Sequence, residues 1–237
     1  MSSEASNPLI CYEDNHLWLV YKQPGEPVQA DRSGDTPLIE RIKSHIKHRD
    51  QKPGAVFCGL VHRIDRPVSG LLVLAKTSKA LSRLNQAFQN RSVSKEYLAV
   101  VPHTHAPERS LVTNYLLRNT QQNKSYICKP NTPKAQLAEL EYETLAVWER
   151  YRLLKIRLFT GRHHQIRVQL AALGMPIKGD LKYGATRSNP DGSIHLHSYF
   201  LKFKHPVRDE LLEQYCVPLH SDPLWKLART FVTSNSI

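Results

Sequence analysis

The chain has 237 residues, with 33 lysines and arginines against 21 acidic residues and a formal net charge of +12. Its 41% hydrophobic content suits a packed core, while no run reaches the roughly 18 apolar residues of a membrane-spanning helix. The charge favours a polyanionic partner, most commonly nucleic acid, and is also compatible with an acidic protein partner or with solubility alone.

Met1 to Pro8 carries neither a basic region nor an apolar h-region, so no secretory signal is expected and a cytoplasmic protein is. Cys11, Cys58, Cys128 and Cys216 are scattered without a Cys-x-x-Cys pair. That spacing argues against a zinc ribbon or redox dithiol and predicts reduced thiols.

Along the chain, Ile10 to Tyr21 reads as a strand pair or one bent strand, broken at Glu13-Asp14-Asn15. Thr36 is the expected N-cap of a helix with Pro37 at its first position. Leu38, Ile42 and Ile46 then recur every four residues, with Arg41, Lys43, Lys47 and Arg49 outward. This is the pattern of an amphipathic surface helix, its basic face open to RNA or to solvent.

From Leu60 to Lys76 a polar cluster, Arg63-Ile64-Asp65-Arg66, runs into the apolar stretch Leu71 to Ala75. The apolar stretch is short and bounded by Gly70 and Lys76, which predicts a buried strand. In extended backbone Arg63 and Asp65 point to the same side, so Arg63 is the expected partner of the carboxylate.

Ser78 to Arg91 reads as a helix with the stripe Leu81, Leu84, Phe88, and Lys95 to Val101 as a strand. Residues 102 to 110 are loop. Arg118 to Lys134 is polar and basic, a mobile insertion or hairpin rather than core. Gln136 to Trp148 and Leu153 to Phe159 read as partner strands of an antiparallel sheet. A turn at Gly161 opens a helix from about Arg162 to Leu173, stopped by Gly174. With no repeat or linker, one α+β domain over residues 9–230 is predicted.

Four separated motifs resemble, in order, those of the RluA family of pseudouridine synthases. His62-Arg63-Ile64-Asp65-Arg66-Pro67-Val68-Ser69-Gly70 is similar to His-Arg-Leu-Asp-Arg-x-x-Ser-Gly, and Lys95-Glu96-Tyr97-Leu98-Ala99 to Lys-x-Tyr-x-Ala. Thr160-Gly161-Arg162-His163-His164-Gln165-Ile166-Arg167-Val168-Gln169-Leu170 is similar to Thr-Gly-Arg-x-His-Gln-Ile-Arg-x-His-Leu, with Gln169 at the second histidine; Leu173 to Gly184 continues in family style. Leu196-His197-Ser198 through His205-Pro206 is similar to Leu-His-Ala-x-x-Leu-x-Phe-x-His-Pro. Tyr21-Lys22-Gln23-Pro24-Gly25 departs from the family's Asn-Lys-Pro-x-Gly and is given no catalytic weight.

The resemblance implies a mixed, largely antiparallel sheet in two halves about a central cleft, in a minimal member without an S4 domain. It implies isomerisation of uridine in ribosomal or transfer RNA, by a monomer without metal or organic cofactor. Asp65 would be the catalytic aspartate, Arg167 its partner, and Tyr97 and Leu196 the faces enclosing the uracil. Arg63 would fill the gap left by a flipped nucleotide or grip that nucleotide. Arg162 would bind phosphate, and His62 and Arg66 would complete the substrate contacts. Two routes stay open for the carboxylate, addition to the nucleoside or abstraction of a sugar proton.

Singly, these residues have plainer readings: an Asp–Arg pair is usually a weak structural ion pair, and a strand tyrosine usually packs. The order of four motifs favours the enzyme over an inactive RNA-binding protein or RNA chaperone of the same fold. His163-His164 and His195-x-His197 lack a third ligand at zinc spacing. There is no Gly-rich phosphate loop and no Gly-x-Ser-x-Gly elbow.

Overall fold

In a computed structural model, residues 7–31 and 33–234 are described, and residues 1–6, read above for the absence of a signal, lie outside them. The apolar run after Asp65 forms β4 (Ser69–Ala75), buried along its whole length. It runs antiparallel to β2 (Leu17–Lys22) and parallel to β10 (Leu196–Lys204). Both faces of such a strand are covered, which is why the run is continuously apolar rather than alternating. Successive side chains point to opposite faces. Leu72 and Leu74 join Trp18, Val20 and the α1 residues Leu38, Ile42 and Ile46 in one core; α1 spans Leu38–Arg49. Leu71, Val73 and Ala75 join Leu17, Leu19 and the α2 residues Ala80 and Leu84 in another; α2 spans Ser78–Gln89.

The sheet continues as a single hydrogen-bonded path, so the two expected halves are parts of one sheet. Its order is β1 (Leu9–Glu13), β2, β4, β10, β5 (Ser94–Pro102), β9 (Tyr151–Leu158), β8 (Gln136–Val147), β6 (Arg109–Asn119) and β7 (Lys124–Cys128). The two-residue β3 (Gly59–Leu60) adds to β4, and β11 (Leu211–Tyr215) to β10. Every pairing except β4–β10 is antiparallel. The segment 118–134 is a hairpin, as one of its two readings had it, yet it is anchored: Ser125 is buried and its backbone N–H donates to the Tyr183 hydroxyl. Among the described residues, no helix is long and apolar enough to cross a membrane.

Gly70 sits where β4 first meets β10. Its φ is +116°, and a Cβ there would lie 2.3 Å from the Ser198 carbonyl oxygen. Backbone cannot yield as a flexible side chain can. Gly70→Ala is expected to destabilise the fold by at least about 1–3 kcal/mol, the usual cost of forced overpacking. Urea unfolding of the two proteins measures it.

Several boundaries differ from the sequence reading. Pro37, not Thr36, is the N-cap of α1, with extended backbone and no side-chain cap bond. Proline's fixed φ suits that position, and the Leu38 N–H is satisfied by the Pro27 carbonyl from the neighbouring loop instead. α2 ends at Gln89, two residues early, and Arg91 takes a positive φ of 57°. The helix read from Arg162 begins only at Gln165 (α3, Gln165–Ala172), because His164 adopts left-handed backbone at φ 54°. Gly174, with φ 74°, follows it as expected. The sequence reading gave no element to β6, β10, β11 or α4 (Pro223–Ser234), and β6 begins at Arg109, inside the stretch read as loop. In α4, Trp225, Ala228 and Val232 pack on Leu98, Val100 and Leu153 across the face of β5 and β9 away from the cleft.

Candidate active site

Asp65 lies in the loop between β3 and β4, at the entrance of a turn at Arg66-Pro67. The loop is held from three sides. The Val68 N–H donates to the Asp65 carbonyl at 3.0 Å, closing the turn. The His62 Nε2 accepts from the Val73 N–H at 3.1 Å, and its ring stacks on Phe88 of α2 at 4.7 Å. Lys22, fully buried at the end of β2, donates from Nζ to the carbonyls of Gln23, Arg66 and Val68 at 2.8, 2.9 and 2.7 Å. Three acceptors match the three donors of an ammonium group. Burial pushes this lysine down to about 7, opposed by Glu26 and Asp65. The motif given no weight in the sequence therefore carries the clamp on the aspartate loop.

The cation beside Asp65 is Arg167, not Arg63. Arg167 Nη1 donates to Asp65 Oδ2 at 3.0 Å. The same guanidinium makes a bidentate pair with Asp180, Nε to Oδ2 at 2.7 Å and Nη2 to Oδ1 at 2.8 Å. Arg167 is 5% exposed and Asp180 1%. Burial alone would lower the guanidinium; the hydrogen bonds and charge of Asp180, then Asp65, outweigh it and raise it. A buried charge of this kind is tolerated because it is paired and geometrically satisfied. Asp180 was the partner that sequence reasoning missed; the signal available was the Gly179-Asp180-Leu181-Lys182-Tyr183-Gly184 continuation of the Arg167 motif.

Arg63 lines the same cavities as Asp65 without pairing with it. It is exposed, lines the cleft, and makes no ion pair among the described residues. Arg66 also points elsewhere, bonding the Gly25 carbonyl and pairing with Asp31 and Asp35. Gln169, at the family's histidine position, is a buried anchor. Its Nε2 donates to Asn114 Oδ1 at 2.9 Å and to the Val112 and Ala138 carbonyls at 3.3 and 3.2 Å, tying α3 to β6 and β8.

Asp65 opens into a cavity of about 460 Å³ lined also by His62, Arg63, Lys95, Tyr97, Arg162, His164, Arg167 and Leu196. Tyr97 on β5 faces Ser198 on β10, and Leu196 faces Ala99. Residues two apart share a face, so Tyr97 and Leu196 stand on one side of the sheet, the side toward Asp65. The bulge between Ser198 and Phe200 adjoins this pair, where bulges commonly re-aim side chains. Burial pushes the Tyr97 phenol up to about 12. Arg162 Nε donates to the Leu137 carbonyl at 2.9 Å, and its side chain lines both this cavity and an adjoining one. That second cavity, about 420 Å³, is walled by Arg63, Arg118, Lys134, Arg162 and His163. Among the described residues, Arg63, Arg118, Lys134 and Arg162 have no acidic partner. On α1, Arg41 pairs with Glu26, Lys43 with Glu40, and Arg49 with Glu13 and Asp50, while Lys47 makes no ion pair among the described residues. Four cations without an acidic partner thus line the second cavity. No group of three or more His, Cys, Asp or Glu side chains that could hold a metal ion occurs among the described residues.

Residues 16–172 match the family model described as RNA pseudouridylate synthase. The chain is 33% identical over 211 residues to a ribosomal large subunit pseudouridine synthase C of Vibrio parahaemolyticus, covering 86% of this chain and 64% of that one. It is 32% identical over 219 residues to a ribosomal large subunit pseudouridine synthase D of Vibrio cholerae, covering 86% and 65%. It is 30% identical to an uncharacterized RNA pseudouridine synthase of Bacillus subtilis, covering 90% and 69%. The chain thus spans just under two thirds of the first two relatives. In fold, it superposes on human RNA Pseudouridylate Synthase Domain Containing 4 with a TM-score of 0.77 at 24% identity, over 93% of this chain and 92% of that one. With human RNA Pseudouridylate Synthase Domain Containing 1 the TM-score is 0.71 at 21% identity, over 98% and 97%. An aspartate gripped by a buried arginine in a cleft walled by tyrosine and leucine, on this sheet and with this sequence match, places the chain in the RNA pseudouridylate synthase family.

Proposed function

We propose that this chain is an RNA pseudouridine synthase, acting as a single domain over residues 9–230 and as one copy on a uridine in structured RNA. Ribosomal large-subunit RNA is the first substrate to test, given the relatives' names, and transfer RNA the second. The observation that carries the reading is the 3.0 Å contact of Arg167 with Asp65 inside a cavity also lined by Tyr97 and Leu196. A cavity of this size holds one base, not a duplex, so the target nucleotide has to leave its stack to enter.

In this reading the N1–C1′ bond breaks, the uracil turns in place, C5 bonds to C1′, and the proton lost from C5 is balanced by one gained at N1. Base and sugar both stay within the site, so the isomerisation balances without an oxidant, reductant or second substrate. Asp65 is the group that acts on the nucleoside. Arg167 fixes its Oδ2, leaving Oδ1 to face the reaction. Tyr97 supplies a stacking face and Leu196 an apolar one, which together let the uracil turn without leaving. Arg63 occupies the mouth, and Arg118, Lys134 and Arg162 meet the phosphates on either side of the extruded nucleotide. His62 serves the site mainly by holding the aspartate loop, and Arg66 by fixing the loop to residues 25–35.

Tyr97→Leu keeps apolar bulk and removes the ring face. Turnover is expected to fall about 5- to 150-fold, the equivalent of one lost base–aromatic stack, with RNA affinity nearly unchanged. Single-turnover rates and filter binding on the same RNA separate the two. RNA affinity itself is expected to fall with salt, the log–log slope steepening by about 0.7 to 0.9 for each phosphate neutralised. Arg118→Ala with Lys134→Ala is expected to make the slope shallower by about 1.4 to 1.8. An equal change from Lys43→Ala with Lys47→Ala instead would move the interface to α1.

Incubation of the purified protein with ribosomal and transfer RNA, followed by chemical tagging of pseudouridine, tests the activity. Tagged positions appearing only with the protein support it, and RNA bound but never tagged would favour the RNA-chaperone reading.

A further inference from the structure

His164 bridges Asp65 to a part of the site that the reaction scheme above does not use. It is the left-handed residue that precedes α3, a conformation in which histidine is one of the more tolerated side chains. Its ring is buried, lines the cavity, and places Nε2 3.6 Å from Asp65 Oδ2. On its other side Nδ1 lies 2.9 Å from the Tyr183 hydroxyl.

The hydroxyl's own bonding decides which ring nitrogen carries the proton. Tyr183 Oη accepts the Ser125 backbone N–H at 2.8 Å. Its single proton then has two acceptors in reach, His164 Nδ1 at 2.9 Å and the Ser125 carbonyl at 3.4 Å. The shorter contact is the better hydrogen bond by a wide margin. The opposite tautomer would leave the hydroxyl proton with the 3.4 Å carbonyl and turn a bare Nε2 lone pair toward the Asp65 carboxylate, so the favoured arrangement has Tyr183 donating to Nδ1 and the imidazole proton on Nε2, facing Asp65. The charged groups around the ring are Arg167, Lys182 and Arg118, with His163 stacked on it at 3.8 Å and Asp65 opposite. Burial first, and then Arg167 and His163, push His164 down to about 2, so the ring is neutral at physiological pH.

We infer that His164, fixed by Tyr183 in the Nε2–H tautomer, is a positioning residue that offers Asp65 Oδ2 an uncharged hydrogen-bond donor alongside Arg167. The inference rests on the synthase reading of the site. Both groups converge on Oδ2, and among the described residues Oδ1 accepts no hydrogen bond. The pair thus sets the carboxylate's rotation and presents one oxygen to the nucleoside, without a second cation competing for its charge. At 3.6 Å the His164 contact is longer than a hydrogen bond; such contacts tighten when substrate closes a site. Tyr183 acts one step further out, and its ring also lies 5.1 Å under the Arg167 guanidinium.

The direct test is nitrogen-15 NMR of histidine-labelled protein at neutral pH, with the His164 signal assigned by its loss in His164→Gln. A neutral ring protonated at Nε2 is expected. A ring protonated at Nδ1, or at both nitrogens, overturns the proposal whether or not the protein acts on RNA. Kinetics supply the second arm. His164→Leu is expected to lower the single-turnover rate about 10- to 100-fold, as loss of a hydrogen bond to a charged group implies, with RNA affinity held. His164→Gln, whose amide can donate from the Nε2 position, is expected to recover most of that loss. Tyr183→Phe keeps the ring and is expected to slow the wild-type enzyme but to cost nothing further in the His164→Gln background. Equal losses in His164→Gln and His164→Leu, both folded and binding RNA, would show that no donor is needed and would also overturn it. If the wild-type chain tags no uridine at all, the synthase reading fails by itself while the tautomer result stands.

Discussion

Asp65→Asn is expected to abolish pseudouridine formation, by at least about a thousandfold or roughly 4 kcal/mol of transition-state stabilisation, while the protein folds and binds RNA as before. Asparagine keeps the size of the side chain and can still accept a hydrogen bond from Arg167 through its carbonyl oxygen. What it removes is the anionic oxygen that faces the nucleoside. The affinity should hold, because it comes from the unpaired cations Arg63, Arg118, Lys134 and Arg162 rather than from the carboxylate. A variant that retains activity within tenfold of the parent would mean that another group does the chemistry. The measurement is a single-turnover time course with tagged-pseudouridine detection, run beside filter binding on the same RNA.

Arg167→Met is expected to have a larger effect on the fold than on any other property. Among the described residues the guanidinium is the one side-chain partner of both oxygens of the buried Asp180, through bonds of 2.7 and 2.8 Å. Removing one member of a buried pair typically costs about 3–5 kcal/mol, because the other charge stays behind unpaired. Asp180→Asn added to Arg167→Met takes that charge away. The double variant is therefore expected to recover much of the lost stability and none of the lost activity, since Asp65 still lacks its cation. Urea midpoints of the two single variants and the double variant form the cycle. If the double variant is no more stable than Arg167→Met, Asp180 is not what makes the arginine structurally necessary. If it regains turnover, the contact with Asp65 is not needed for the reaction.

The cleft was legible in the sequence where chemistry and pattern coincide. Leu71 to Ala75 is a buried strand because a short apolar run bounded by Gly70 and Lys76 has few other fates, and β4 confirms it. Leu38, Ile42 and Ile46 carry a helical period and are all buried. Family likeness then brought Tyr97, Arg162, Arg167 and Leu196 to one cavity with Asp65, although they lie on different elements. Local geometry, by contrast, misled. The alternation that paired Arg63 with Asp65 puts both at the same cavities, yet the carboxylate's ion pair comes from Arg167 on another element, and Lys22 pins the following turn from 46 residues away. Lys22, Asp180 and Tyr183 act through contacts between distant segments, which no periodicity reports. The helix start at Arg162 was three residues early because left-handed backbone at His164 leaves no mark in composition. α4 was legible and unread: Trp225, Ala228 and Val232 fall at helical spacing.

The central claim is that Asp65 in this cleft converts a uridine in RNA to pseudouridine. Pseudouridine mapping across total RNA from cells lacking this chain, compared with the same cells supplied with the wild-type or the Asp65→Asn protein, tests it most directly. The expected result is one or a few uridines, in ribosomal or transfer RNA, modified with the wild-type protein and unmodified both without it and with the asparagine variant. Sites that stay modified in the absence of the chain, or that Asp65→Asn restores as fully as the wild type, would contradict it.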